Sequence, residues 1–194
     1  DLVRSMNCYY SNLIEGHNTH PRDIDRALRD DFSAEPEQRD LQLEAKAHIR
    51  VQNLIDQGVN AASPTSLEYI LWLHKEFCKN LPEDLLWVEN PDTGEKIKNI
   101  PGELRKGEVA VGRHIPPTFD TLERFLKRFE NAYKIEKLGR MNKLLTAAAS
   151  HHRLLWVHPF YDGNGRVARL MAHALLKEIG IGSSLWSVAR GLAR

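Results

Sequence analysis

Apolar residues step by three and four along most of this chain, and that rhythm restricts it to a helical fold. Met6, Tyr9, Tyr10, Leu13 and Ile14 have the spacing near the start. Pro36 to Gly58 reads as one long helix, with Leu41, Ala45 and Ile49 four apart and Gly58 as its stop. Ser63-Pro64 reads as a cap followed by proline at the first helical position, ahead of the stripe Leu67, Ile70, Leu71, His74, Phe77 and Cys78. His74 is expected there as a satisfied core histidine. The clearest amphipathic pattern spans Pro117 to Leu138, through Leu122, Phe125, Leu126, Phe129, Ala132 and Tyr133. Asn142 to Val157 is apolar on several faces and is expected to be surrounded by other helices. Only Leu85 to Ile115 breaks the rhythm, with Asn-Pro-Asp-Thr-Gly at 90–94 as a turn signal. The expectation is a mainly α, compact bundle, and 194 residues suffice for one domain with a full core.

Chemistry concentrates in His158-Pro-Phe-Tyr-Asp-Gly-Asn-Gly-Arg-Val-Ala-Arg169. A residue before proline is pushed out of the helical region, so His158 should lie on a loop at the end of an apolar helix. Imidazole is the side chain best suited to take a proton near neutrality. Asp162 is a hard oxygen ligand of the kind that holds Mg²⁺ beside phosphates. Gly163-Asn164-Gly165 can bring backbone close to a ligand, and a helix starting there presents free N–H groups to an anion. Val167, Leu170, Met171, Ala174 and Leu175 continue helically and place Arg166 and Arg169 beside the apolar stripe. Two arginines in the opening turns oppose the helix dipole, at about 0.3–1 kcal/mol each. A bound polyphosphate would resolve that conflict. Gly163 to Ala168 formally fits a dinucleotide fingerprint, but no strand precedes it, and no Walker A loop occurs.

The run resembles the signature of the Fic domain family, HPFx[D/E]GNGRxxR, at every defined position. The resemblance implies a helical Fic-like bundle that transfers AMP from ATP to a hydroxyl of a target protein. It makes His158 the general base and Asp162 the holder of Mg²⁺. It gives Gly163, Asn164 and Gly165 the anion hole, Arg166 the phosphate tail and Arg169 the γ-phosphate. Gly102 to Gly112, followed by Pro116-Pro117, is similar to the family's β-hairpin flap, which clamps a target segment by main-chain pairing. Val109, Ala110 and Val111 would lie on it, with Val109 and Val111 on one side of a short strand. Ser11-Asn-Leu-Ile-Glu15-Gly16 resembles the inhibitory motif [S/T]xxxE[G/N]. Ser11 and Glu15 fall one turn apart on one helix face, and the resemblance implies that Glu15 pairs with Arg169 to block transfer.

On this reading, residues 1–30 form an N-terminal inhibitory region and 35–180 the catalytic core, with the flap at 102–115. Residues 181–194 (Leu185, Val188, Ala189, Leu192) begin a C-terminal helix that runs past the end of a fragment. Partners would be a protein bearing a Ser, Thr or Tyr hydroxyl, and self-modification and a homodimer are both compatible with the resemblance. Other readings of the same site are another nucleoside triphosphate donor, AMP removal with Glu15 orienting water, or nucleotide sensing without chemistry. A net charge of +1 gives no general attraction to nucleic acid or anionic membrane. No apolar run reaches the ~20 residues that span a bilayer. His151-His152 with His158 lacks the H-E-x-x-H spacing of a metal site. Two separate cysteines, Cys8 and Cys78, fit a reducing cytoplasm.

Overall fold

A computed structural model describes residues 2–17, 19–90, 93–181 and 188–193. Among them the order is α1 (Leu2–Ile14), α2 (Pro21–Leu28), α3 (Pro36–Gln57), α4 (Leu67–Cys78), β1 (Trp87–Glu89), β2 (Lys96–Lys98), α5 (Leu122–Ala132), α6 (Arg140–Val157), α7 (Asn164–Glu178) and α8 (Val188–Leu192). The fold is mainly α, as the periodicity requires, with one two-stranded hairpin.

Helix α3 begins and ends where proline and glycine place it. Pro36 occupies its first turn, and Gly58 closes it at φ 68°, with Gly58 N–H on the Ile55 carbonyl (3.0 Å) and Val59 N–H on that of Leu54 (3.1 Å). Helix α4 starts later than Ser63-Pro64 suggests. Ser66 is the cap, its hydroxyl accepting from Tyr69 N–H at 3.1 Å, while Ser63 closes a turn onto Ser66 N–H. The 117–138 pattern is also trimmed. A 3-10 turn at Phe119–Thr121 leads into α5, and α5 stops at Ala132. Thr65 then takes the Tyr133 carbonyl (3.2 Å), and the chain bends to bury Ile135.

One expectation about a face is corrected. Helix α6 is not surrounded: Ala147, Ser150, Leu154 and Val157 form its buried stripe, while Met141 and Leu145 are 69% and 62% exposed. Its alanines made every face look apolar, but only one face has neighbours, α5 and α7. Helix α1 buries Asn7, Cys8, Ser11 and Asn12 and leaves Leu13 and Ile14 exposed. Its polar face turns inward because arginines of α7 wait there.

The two hairpin strands flank the 90–94 turn signal, with Val88 opposite Ile97. The 102–115 segment narrows to a two-residue turn closed by an isolated antiparallel bridge, Val111 with His114, without a longer ladder. Its entry is bonded elsewhere, through Arg105 N–H to the Pro159 carbonyl (2.9 Å) and Lys106 N–H to the Tyr161 hydroxyl (3.1 Å).

The main core gathers Ile70, Leu73, Leu122, Leu126, Ile135, Leu154, Phe160, Leu170, Met171 and Leu175. A separate small cluster, Cys8, Ile24, Ala45 and Ile49, joins α1 and α2 to α3. The short α8 packs on α1 and α7, whereas Leu185 lies outside the described residues. Among the described residues no helix is long and apolar enough to cross a membrane.

Candidate functional site

The loop between α6 and α7 and the first turns of α7 carry the His158–Arg169 run. Val157 ends α6, and His158 caps it in the left-handed conformation (φ 50°, ψ 63°), its N–H on the Leu154 carbonyl at 3.0 Å. The sequence placed His158 outside the right-handed helix, which holds, although proline-preceding residues more often extend. The imidazole is held below its ordinary pKa, chiefly by burial. A hydrogen bond to the Leu155 backbone acts in the opposite direction, and the Arg105 and His114 charges lower the value further. A neutral ring with one nitrogen anchored on backbone can take a proton on the other.

Phe160, fully buried, stacks on His74 with ring centroids 3.8 Å apart and planes 4° from parallel. His74 is a satisfied core histidine, as its place on the stripe suggests: Nδ1 accepts from Gly102 N–H at 2.9 Å. Burial pushes its pKa down to about 4. Gly163 sits at φ 81° above that ring, and a Cβ there would meet His74 at 3.5 Å in a strained conformation.

Helix α7 starts at Asn164, whose side chain braces the loop instead of facing a ligand. Its Oδ1 accepts from Phe160 N–H (3.0 Å) and its Nδ2 donates to the Phe160 carbonyl (2.9 Å). Only the backbone N–H of Asn164 is left to join those of Gly165 and Arg166 at the open helix end. Asp162 is exposed on the loop just before. Its carboxylate is a hard donor, and Mg²⁺ beside phosphates requires only one or two such groups. Among the described residues no cluster of three or more potential ligands forms an all-protein metal cage.

Both arginines are buried, 5% and 7% exposed, and protein groups resolve their conflict with the dipole. Arg169 donates through Nε to Ser11 Oγ (2.8 Å) and through Nη2 to Glu15 Oε1. Burial lowers the Arg169 pKa, and the Glu15 charge opposes that shift. Glu15 lies so close to the α7 N-terminus that a Cβ on Gly165 would strike its Oε1. A carboxylate therefore occupies the seat that helix and arginine offer to an anion. Arg166 is held similarly: Nη1 donates to Asn12 Oδ1 (2.7 Å), Nη2 to Glu44 Oε2, and His17 Nδ1 is 3.3 Å away. Its guanidinium also lies over the Phe77 ring at 5.3 Å.

The structure thus brings Ser11, Glu15, His158, Asp162, Gly163, Asn164, Gly165, Arg166 and Arg169 to one end of α7. Gly16 follows at φ 80°, turning the chain out of α1. Val109, Ala110 and Val111 lie on the neighbouring segment, whose tip is tied down by His114 Nε2 on the Trp156 carbonyl (2.8 Å). Asn12, His17, Glu44 and Arg105 went unnoticed in the sequence. Asn12 carried a signal: Ser11, Asn12 and Glu15 make a polar patch on the side away from Leu13. Glu44 and Arg105 carried none, because their partners are 122 and 53 positions away.

Known proteins share this architecture. A protein adenylyltransferase Fic of Drosophila erecta is 40% identical over 79 residues, covering 41% of this chain and 16% of that protein. One of Culex quinquefasciatus is 38% identical over 98 residues, covering 50% and 20%. The chain therefore spans about a fifth or less of the length of these relatives. A Fic domain-containing signaling protein of Bacteroides thetaiotaomicron superposes with a TM-score of 0.69 at 20% identity, over 93% of this chain and 64% of that one. At that identity the likeness speaks for the fold. A model of the Fic/DOC family matches residues 64–176, more than half of the sequence and the whole of the His158–Arg169 loop and helix start. By that match, the chain belongs to the Fic/DOC family.

Proposed function

We propose that this chain transfers AMP from ATP to a hydroxyl side chain of a target protein and is held inactive by Glu15. The observation that carries the reading is the Glu15 carboxylate on Arg169 and against Gly165, within an anion seat at the start of the helix that the His158 loop leads into. His158 takes the proton of a Ser, Thr or Tyr hydroxyl as its oxygen attacks the α-phosphorus of ATP in line. The new P–O bond replaces the bond to the β-phosphate, and pyrophosphate leaves. The N–H groups at the start of α7 and Arg166 bind the phosphates, and Arg169 binds the γ-phosphate once Glu15 has withdrawn. Asp162 is the residue that would hold Mg²⁺, which supplies charge neutralisation on the polyphosphate.

Residues 1–30 act as the inhibitory region on a core of 35–180. The small Cys8–Ile24–Ala45–Ile49 cluster supports that division, because α1 contributes little to the main core. The 102–115 segment holds the target strand. Val111 N–H is already given to the His114 carbonyl, so pairing falls to Val109 and Ala110. Self-modification and a homodimer are compatible with this arrangement. Cys8 and Cys78 are both free and buried thiols, in keeping with a reducing cytoplasm.

A second reading, AMP removal with Glu15 orienting water, draws support from the Glu15 side chain being 35% exposed and open to solvent. Incubating Glu15→Gly with α- or γ-labelled ATP tests the assignment. Label retained on protein only from the α position, with a mass gain of one AMP, is expected. Retention from the γ position, or none from either, overturns it. Loss of AMP from a pre-modified target with the unmutated chain, and not with Glu15→Gly, would establish the second reading.

A further inference from the structure

Arg105 is the most completely enclosed charge beside the site. Its side chain has no solvent exposure, and among the described residues its one neighbouring carboxylate, Glu108, is 3.8 Å away on a side chain 56% exposed. Burying a cation so weakly matched is costly, and burial accordingly lowers its pKa. What the guanidinium does have is three carbonyls from three places. Nε donates to His158 O at 2.8 Å, Nη1 to Gly107 O at 2.7 Å and Nη2 to Pro117 O. The Arg105 main-chain N–H adds a fourth tie, to the Pro159 carbonyl. One planar fork thus joins the entry of the 102–115 segment, its exit and the backbone of His158.

His158 needs such a tie. A residue other than glycine holds φ near 50° only where its surroundings fix it. The amide ahead of it is bound to Leu154, and Arg105 binds its carbonyl. The five donors of a guanidinium, spread over three nitrogens, reach all three carbonyls at once, whereas an ammonium directs its three donors from a single atom. We propose that Arg105 is a positioning residue that fixes the His158 backbone and the target-holding segment as one unit, so base and target arrive in register.

This rests on His158 being the base. The charged and titratable groups facing it are Arg105 and His114 from the 102–117 stretch and Asp162 from its own loop. Arg105 and His114 favour the neutral ring and Asp162 favours the charged one. Removing the Arg105 charge therefore raises the His158 pKa, and the acid limb of kcat/KM moves to higher pH.

The test uses the full chain carrying Glu15→Gly, with Arg105→Met, Arg105→Lys and His158→Ala compared by steady-state transfer across pH and by thermal melting. Arg105→Met should lower kcat by about 10²-fold, as a misplaced reacting group does, with the ATP KM unchanged and the acid limb shifted up. Arg105→Lys should leave the limb in place and recover part of kcat. Loss of kcat only in proportion to the folded fraction, with the limb unmoved, overturns the proposal. If Arg105→Met does not fold, Arg105→Lys decides: full turnover overturns the clamp, and reduced turnover at an unmoved limb and an unchanged ATP KM upholds it. Full turnover in His158→Ala removes the base and the clamp together. An inactive His158→Ala beside fully active Arg105 variants removes the clamp alone.

Discussion

Glu15→Gln should weaken the folded protein and strengthen its hold on ATP in one step. The Glu15–Arg169 pair is unevenly enclosed, with side-chain exposures of 35% and 7%. Breaking a fully buried pair costs about 3–5 kcal/mol, and an exposed one is worth about 0–1 kcal/mol. With the carboxylate one-third open and Ser11 Oγ still on Arg169 Nε, the loss falls between, at about 1–2 kcal/mol. For a chain of this size each kcal/mol lowers Tm by about 2–4 °C. Glutamine keeps the volume and an acceptor oxygen but not the charge, so the anion seat is no longer contested by a rival anion. If ATP must displace that carboxylate, the same 1–2 kcal/mol returns as about 5–30-fold tighter binding. Calorimetric titration with a non-hydrolysable ATP analogue, beside a thermal melt, measures both. AMP, lacking the β- and γ-phosphates, should gain much less. A lower Tm with unchanged or weaker ATP-analogue binding would refute the reasoning and leave Glu15 as a structural partner of Arg169.

Two further outcomes follow from buried groups. His48 and His74 have pKa values pressed down by burial, His74 to about 4, so the unfolded chain takes up their protons first. Their stability contribution is full above the unfolded value near 6.5 and falls with pH toward the folded one, by up to about 1.4 kcal/mol per unit for each group. Urea titrations at pH 7 and pH 5 should show the fall, and His48→Leu should lessen it; equal midpoints at both pH values would contradict the sign. Phe160→Ala removes a fully buried ring stacked on His74 and should cost about 3–5 kcal/mol in the same assay. A loss below 1 kcal/mol would mean that the loop is not anchored there.

The helices were legible because burial repeats at the helical period, and α3 was readable end to end because proline and glycine mark its limits. Limits set by tertiary partners were not readable. Ser66 rather than Ser63 caps α4, and Tyr133 leaves the helix because Thr65 claims its carbonyl. Faces were harder still. Alanines on α6 match a buried and an open face equally well, and the apolar row of α1 pointed away from the surface that mattered. In the site, the twelve-residue run named its own members because they are contiguous. The groups that hold them, Glu44 and Arg105, come from distant segments, and a single sequence gives no register between segments. The strand expected from Val109 and Val111 reduces to one bridge at Val111 for a related reason, since alternation describes a pleat and says nothing of how long a partner runs beside it.

His158 lies where folding by itself would place a different residue. A left-handed backbone costs an L-residue roughly 1–2 kcal/mol, an appreciable part of the 5–15 kcal/mol by which domains are typically stable. Glycine would remove that strain and asparagine would ease it. A lineage selected only for robust folding would drift to one of them at position 158 and shed the imidazole. With His158 as the proposed base, the histidine is a stability–activity trade-off fixed at one dihedral angle, and a copy of this domain relieved of that chemistry should lose it there first.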